Sequence, residues 1–105
     1  MVASIQQVLF EEIGDAIADS KRGSMFGVLC YKYQRKPFIL FYQGQIVCKL
    51  FGAAREEALE LPGTSLFNPK KHSRPMGNWV QLPIEIADSW ACFAHLAYEF
   101  AIADY

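Results

Sequence analysis

The feature that most constrains the fold is a dense apolar stretch over residues 24–51, SMFGVLCYKYQRKPFILFYQGQIVCKLF. β-Branched and aromatic residues dominate this stretch, which is typical of strands on a pleated surface. Two short polar breaks interrupt it, at residues 34–36 and 43–44, and each has the composition of a tight turn. The sequence therefore predicts three antiparallel strands, over residues 24–33, 37–42 and 45–51.

The second strand and its turns define the centre of this sheet. Every residue after Pro37 in this strand is apolar, and a run without alternation indicates that both faces of the strand are covered. Gln43 and Gly44 predict a two-residue hairpin turn with Gly44 at positive φ, which favours pairing of the second strand with the third. Gly27 interrupts the first strand and indicates a bulge or a close approach by a neighbouring element.

Three segments with helical periodicity flank the strands. Residues 4–21 predict a helix that begins at Ser4, carries Lys21 and Arg22 at its negative end and stops at Gly23. The apolar face of this helix is expected to consist of Ile5, Val8, Leu9, Ile13, Ala16 and Ile17. Further helices are predicted over residues 52–61 and from residue 85 or 88 to residue 103, and short strands over residues 64–67 and 78–82.

The predicted element order is α-β-β-β-α-β-β-α. Runs of strands joined by short turns favour an antiparallel sheet in an α+β fold. We therefore expect a two-layer architecture, with a five-stranded antiparallel sheet and the helices on one of its faces. The length of 105 residues predicts one domain over residues 1–105.

Composition excludes several classes of function. The net charge of −1 gives no broad basic surface for nucleic acid or for an anionic membrane, and no apolar run is long enough to span a bilayer. Three widely spaced cysteines, with no Cys-x-x-Cys pair and no signal peptide, predict a reduced cytoplasmic protein. Motifs for a catalytic triad, a phosphate loop or a metal site are absent, so we expect no enzymatic activity, cofactor or metal.

One polar loop, residues 68–77, carries a local positive cluster formed by Lys70, Lys71, His72 and Arg74. Prolines at positions 69 and 75 would stiffen this loop and so favour binding of an anion or an acidic partner. A simple solvated loop is the alternative interpretation.

The open face of the predicted sheet suggests self-association. Three helices cover only one face, so part of the doubly apolar second strand would be exposed on the other. The candidate interface residues are Phe38, Leu40 and Tyr42. A symmetric homodimer is the commonest way to bury such a strip. The alternative is that loop 68–77 folds across the open face of a monomer.

Short pieces of the chain, in their order and spacing, resemble the N-terminal domain family of the TfoX competence regulators. The resemblance covers about residues 20–102. The matching pieces are Met25-Phe26-Gly27, Lys36-Pro37-Phe38, Val47-Cys48-Lys49-Leu50, Leu61-Pro62-Gly63, Phe67, Pro69, Arg74-Pro75-Met76, Trp79-Val80, Trp90 and Tyr98.

This resemblance implies a fold similar to that of type III secretion chaperones and a bacterial regulatory module that acts through protein contacts. Full-length regulators of this type have a second, helical domain that this chain does not include, so direct, specific binding to DNA is not expected. Two alternatives remain open. One is a small dimeric chaperone-like protein that binds an extended segment of a partner, and the other is an enzyme with an unrecognised site.

Overall fold

The computed structural model describes residues 4–25, 27–68 and 76–103, except for the side chain of Met76. The fold is α+β and has an antiparallel sheet with three α-helices, as predicted from the sequence, but the sheet has six strands instead of five. The helices are α1 (Ile5–Ala16), α2 (Gly52–Leu59) and α3 (Trp90–Ile102), with a 3-10 helix (Ile84–Ser89) before α3. The strands are β1 (Ser20–Met25), β2 (Val28–Tyr33), β3 (Lys36–Tyr42), β4 (Gln45–Lys49), β5 (Ser65–Phe67) and β6 (Met76–Leu82).

The additional strand arises at the end of α1. Residues 20–33, which were predicted to end a helix and form one strand, form the β1–β2 hairpin instead. Gly27 has φ +76° and lies in the turn between the two strands, so it is neither a bulge nor a contact point. Helix α1 stops early because Ile17 is extended and the Ser20 hydroxyl lies 2.8 Å from both the Gly14 and the Ile17 carbonyl oxygens.

The sheet has the strand order β1-β2-β3-β4-β6-β5, and the first four strands form a meander. The turn between β3 and β4 has φ +50° at Gln43 and +79° at Gly44. Two consecutive positive φ values are those of a type I′ turn, whose twist matches the twist of paired strands. The predicted adjacency of these two strands is therefore confirmed.

A β-bulge in β3 changes which side chains face the helices. Tyr31 pairs with Ile39 whereas Lys32 pairs with Pro37, so Phe38 is the extra residue. Consequently Phe38 and Ile39 both pack in the core beneath the helices, and Leu40 belongs to the opposite face. Because Phe38, Ile39 and Leu40 are all buried, the prediction that both faces of this strand are covered is confirmed.

The two faces of the sheet have different coverings. All three α-helices pack on one face, where Phe10 of α1, Ala58 of α2 and Trp90 of α3 belong to the main core. The opposite face has a smaller core whose described members come only from strands: Met25, Val28, Cys30, Leu40, Tyr42, Val47, Phe67 and Trp79. On this face the rings of Phe67 on β5 and Tyr42 on β3 lie 5.0 Å apart, although β4 and β6 separate their strands.

The described helices are all short. The longest, α3, has 13 residues, and no helix in residues 4–25, 27–68 or 76–103 could span a membrane. Trp90 is fully buried at the start of α3, where its indole Nε1 donates a hydrogen bond of 3.0 Å to the Pro83 carbonyl. This contact fixes the start of α3 beside the residue that follows β6.

Candidate functional site

An open groove of about 330 Å³ runs between α1 and α3. Its lining is mostly apolar, with one carboxylate and one imidazole: Leu9, Glu12, Ile13, Ala16, Ile17, Ala91 and His95. A shallow site of this kind, with few polar groups, suits a side-chain row of a partner better than a small substrate that must be enclosed.

The groove exists because α1 packs on the sheet with only part of its apolar surface. Phe10 and Gly14 are the buried residues of α1, while Leu9, Ile13 and Ile17 are half-buried. The remaining apolar side chains of the helix are exposed, Ile5 at 83% and Val8 at 42%. The predicted apolar stripe of α1 is therefore real, but much of it faces the groove and solvent.

Gly14 brings α1 close to the sheet. A Cβ atom at this position would lie 2.3 Å from the ring of Tyr31, which is 1% exposed. Phe10 packs edge-on against the same ring, with the ring centroids 5.5 Å apart. The glycine one turn after Phe10 was the sequence signal for this close approach. It was missed because an isolated glycine in a helical pattern is usually tolerated without a role in packing.

A charged cluster fixes the other side of α1. The Tyr31 hydroxyl donates to Asp15 Oδ1 at 2.8 Å, and Arg22 Nη2 on β1 lies 2.9 Å from Asp15 Oδ2. Arg22 Nη1 also lies 3.6 Å from Glu11 Oε2. The hydrogen bond from Arg22 lowers the pKa of Asp15, and burial, with the Asp15 contact, raises the pKa of Tyr31 to about 12. The cluster thus holds the helix with Asp15 charged and Tyr31 neutral, and its single cation, Arg22, is shared between two carboxylates of α1.

The two helices that form the groove carry acidic side chains that are not all paired with a cation. Residues 4–17 and 84–103, which include α1 and α3, contain no lysine or arginine. Arg22 reaches Glu11 and Asp15 but has no ion pair with Glu12. On α3, His95 Nε2 lies 3.9 Å from Glu99 Oε1, so a protonated His95 would be paired within its own helix. The groove therefore combines an apolar floor with carboxylates and no fixed basic side chain from either helix.

The residues predicted to form sites do not come together here. Lys70, Lys71, His72 and Arg74 lie outside the described residues. Phe38 and Leu40 are buried within the single chain, at 1% and 0% exposure. The prediction that Phe38, Leu40 and Tyr42 share one open face is wrong for Phe38, because the bulge turns it towards Tyr98 of α3, with ring centroids 5.6 Å apart. Tyr42 is half-buried, and the homodimer itself stays a prediction.

The cysteines also have separate environments. Cys30 and Cys48 are buried and unpaired, and burial raises the pKa of both thiols. Cys92, in contrast, is exposed on α3. Among residues 4–25, 27–68 and 76–103, no group of three or more histidine, cysteine or acidic side chains is placed to hold a metal ion.

Comparison with known proteins found no match among family models, curated proteins or solved structures. The resemblance to the TfoX N-terminal domain family therefore stays a prediction. The fold and the groove are the basis for a functional proposal.

Proposed function

We propose that the protein is a binding module that acts through protein contacts and holds a basic amphipathic helix of a partner in the groove between α1 and α3. The observation that supports this is an apolar lining between two helices that carry acidic residues and no lysine or arginine. An amphipathic helix lays its apolar face into such a groove, and lysine or arginine beside that face would meet the carboxylates.

The apolar surface that continues along α1 favours a helix as the occupant. Ile5 and Val8 extend the apolar surface of α1 beyond the lining residues, so the exposed strip continues along the helix axis. A row of side chains spaced three and four residues apart would follow such a strip. The small side chains of Ala16 and Ala91 leave room for the larger side chains of a partner.

The test uses two matched synthetic peptides of about 14 residues, each with leucines at helical spacing and with either lysine or glutamate at all other positions. We expect the leucine–lysine peptide to bind in a fluorescence-anisotropy titration, and the leucine–glutamate peptide to bind at least about tenfold more weakly. Amide chemical shifts should change along α1 and α3 and not in β5 or β6.

Two alanine substitutions provide the matched control. Ala91→Arg places a long cationic side chain in the groove and should weaken binding by about tenfold or more, whereas Ala53→Arg makes the same change on α2, away from the groove. Both alanines are exposed, so both variants should fold. Equal affinity of the two variants, or equal binding of the two peptides, would exclude the groove as the site. A peptide-free assembly that Ala91→Arg disrupts would instead show that a second copy of the chain occupies it.

A further inference from the structure

We infer that the outer edge of β1 binds an extended, acidic segment of a partner protein, which adds to the sheet as a seventh strand. This surface is separate from the groove and does not depend on the function proposed for the groove. Three observations on β1 and its neighbour β2 support the inference: the position of the strand, the charges on it and the placement of Lys32.

The position of β1 makes pairing geometrically available. It is an edge strand of six residues and, among the described residues, pairs only with β2, while the other edge strand, β5, has three residues. An edge strand presents backbone N–H and C=O groups in a row, and an extended peptide can satisfy them by pairing. The length of β1 is enough for several ladder hydrogen bonds.

The positive charge of the segment that contains β1 and β2 favours an acidic partner. Between Asp19 and Glu56 the sequence contains no acidic residue and seven basic ones: Lys21, Arg22, Lys32, Arg35, Lys36, Lys49 and Arg55. On the helix side of β1, Arg22 is already paired with Asp15 and Glu11. On the opposite side, Lys21 and Lys32 have no ion pair in the described part of the chain.

The two lysines are placed where a partner strand would lie. Lys21 is directly opposite Lys32 in the β1–β2 ladder, an arrangement of like charges that destabilises a sheet. Lys32 belongs to the inner strand, but its side chain lies across Gly23 on the edge, since a Cβ at Gly23 would be 2.5 Å from Lys32 Cε and 3.0 Å from Nζ. Both ammonium groups therefore lie at the β1 edge of the sheet, and an acidic segment bound there would reduce the repulsion between them.

The chemistry of the edge also argues against other occupants. Lysines on an edge strand discourage pairing with another basic edge, which disfavours a second copy of β1. Asp19 lies near one end of the edge, in a hollow that it shares with Lys21, Tyr33 and Gln34. The acidic side chains of the partner are therefore expected to lie opposite Lys21 and Lys32 and not beyond Asp19.

The test is a titration of the full chain with blocked peptides of eight residues in which valine alternates with glutamate, with lysine, or with glutamate and N-methylated backbone. We expect the glutamate peptide to bind with amide shifts at residues 20–25, and the lysine and N-methylated peptides to bind at least about fivefold more weakly. Equal binding by all three peptides, or shifts confined to β5, would overturn the proposal.

Matched variants separate the edge from general attraction to anions. Lys32→Gln should weaken binding of the glutamate peptide by about threefold or more, whereas Lys49→Gln, on β4, should leave it unchanged. An eight-nucleotide oligothymidine provides the last comparison. If it binds residues 20–25 as tightly as the peptide and competes with it, the edge binds polyanions in general and the proposal is wrong. Groove variants such as Ala91→Arg should not affect this titration, so the two proposals can fail independently.

Discussion

At the scale of single residues, Gly14 is the position where the sequence most closely controls the packing of α1. Alanine in a helix is usually more stable than glycine by about 1 kcal/mol. Here the added Cβ would meet three atoms of the buried Tyr31 ring at 2.3–2.4 Å. That ring cannot move away freely, because its hydroxyl donates a hydrogen bond to Asp15 and the ring packs against Phe10. Steric overlap should therefore outweigh the gain in helix propensity.

We predict that Gly14→Ala lowers the free energy of unfolding by about 1–3 kcal/mol, as overpacking of a core does. Urea denaturation followed by circular dichroism measures the change. Gly77→Ala is the control, since a Cβ there would have no atom of the described residues within 4 Å, and this substitution should change the stability by no more than about 0.5 kcal/mol. A Gly14→Ala protein as stable as the wild type would show that α1 lies farther from the sheet.

Tyr31 gives a second prediction, on the dependence of stability on pH. Burial and the Asp15 hydrogen bond raise the pKa of this phenol from 10.0 to about 12. A raised pKa in the folded state means that the contribution of Tyr31 is fully present below the unfolded pKa near 10 and is lost as the pH rises through about 12. The stability difference between the wild type and Tyr31→Phe should therefore be constant at neutral pH and shrink across this alkaline window. A difference that stays constant to the end of the window would contradict the assignment.

At the scale of elements, the sequence predicted those whose signals are local. The Gln43-Gly44 turn and the two strands it joins follow from turn chemistry, and the Ser4 cap is confirmed by a 3.1 Å hydrogen bond from the Gln7 N–H to the Ser4 hydroxyl. The β1–β2 hairpin was missed because Lys21, Arg22 and Gly23 also match the end of a helix. Tertiary contacts decided the outcome, since Arg22 pairs with Asp15 across α1 and β1 and Gly23 makes room for Lys32.

The groove and the edge could not be predicted from the sequence for a similar reason. Periodicity identified the apolar stripe of α1, but only the packing of Phe10 and Gly14 leaves Leu9 and Ile13 half-buried. The bulge at Phe38 depends on the register between β2 and β3, which no local pattern specifies. The candidate interface residues on this strand therefore included Phe38, a residue of the main core.

The packing of α3 depends on the buried side chain of Trp90. Trp90 is fully buried and donates to the Pro83 carbonyl at 3.0 Å, so its removal leaves a cavity and takes away this hydrogen bond, while the Pro83 carbonyl still accepts from the Ile86 N–H at 3.2 Å. We predict that Trp90→Ala lowers the free energy of unfolding by about 3–5 kcal/mol, whereas Ile102→Ala, at an exposed position of the same helix, changes it by less than about 1 kcal/mol. Similar denaturation midpoints for the two variants would show that α3 is not fixed by Trp90.

At the scale of the whole molecule, charge is divided between the helices and the sheet. Strands β1 to β6 contain no acidic residue, and the described acidic residues lie in the helices or beside them. The net charge of −1 conceals this division, because composition sums the two regions. The groove and the β1 edge are thus surfaces of opposite charge on one chain, and both proposed interactions should weaken as salt is added.

The same division leads to a prediction about nucleic acid. Among the basic residues, Arg22 and Arg55 are paired with carboxylates, and Lys49 lies over the rings of Phe51 and Trp79. Even about five phosphate contacts would give a salt slope near −4.5, and affinity would fall roughly 500-fold between about 50 and 200 mM salt. We therefore predict no tight, sequence-dependent binding to duplex DNA at physiological salt. A mobility-shift titration with two unrelated duplexes measures this, and nanomolar binding that differs between them would contradict the prediction, since cations at one sheet edge have no means of reading base sequence.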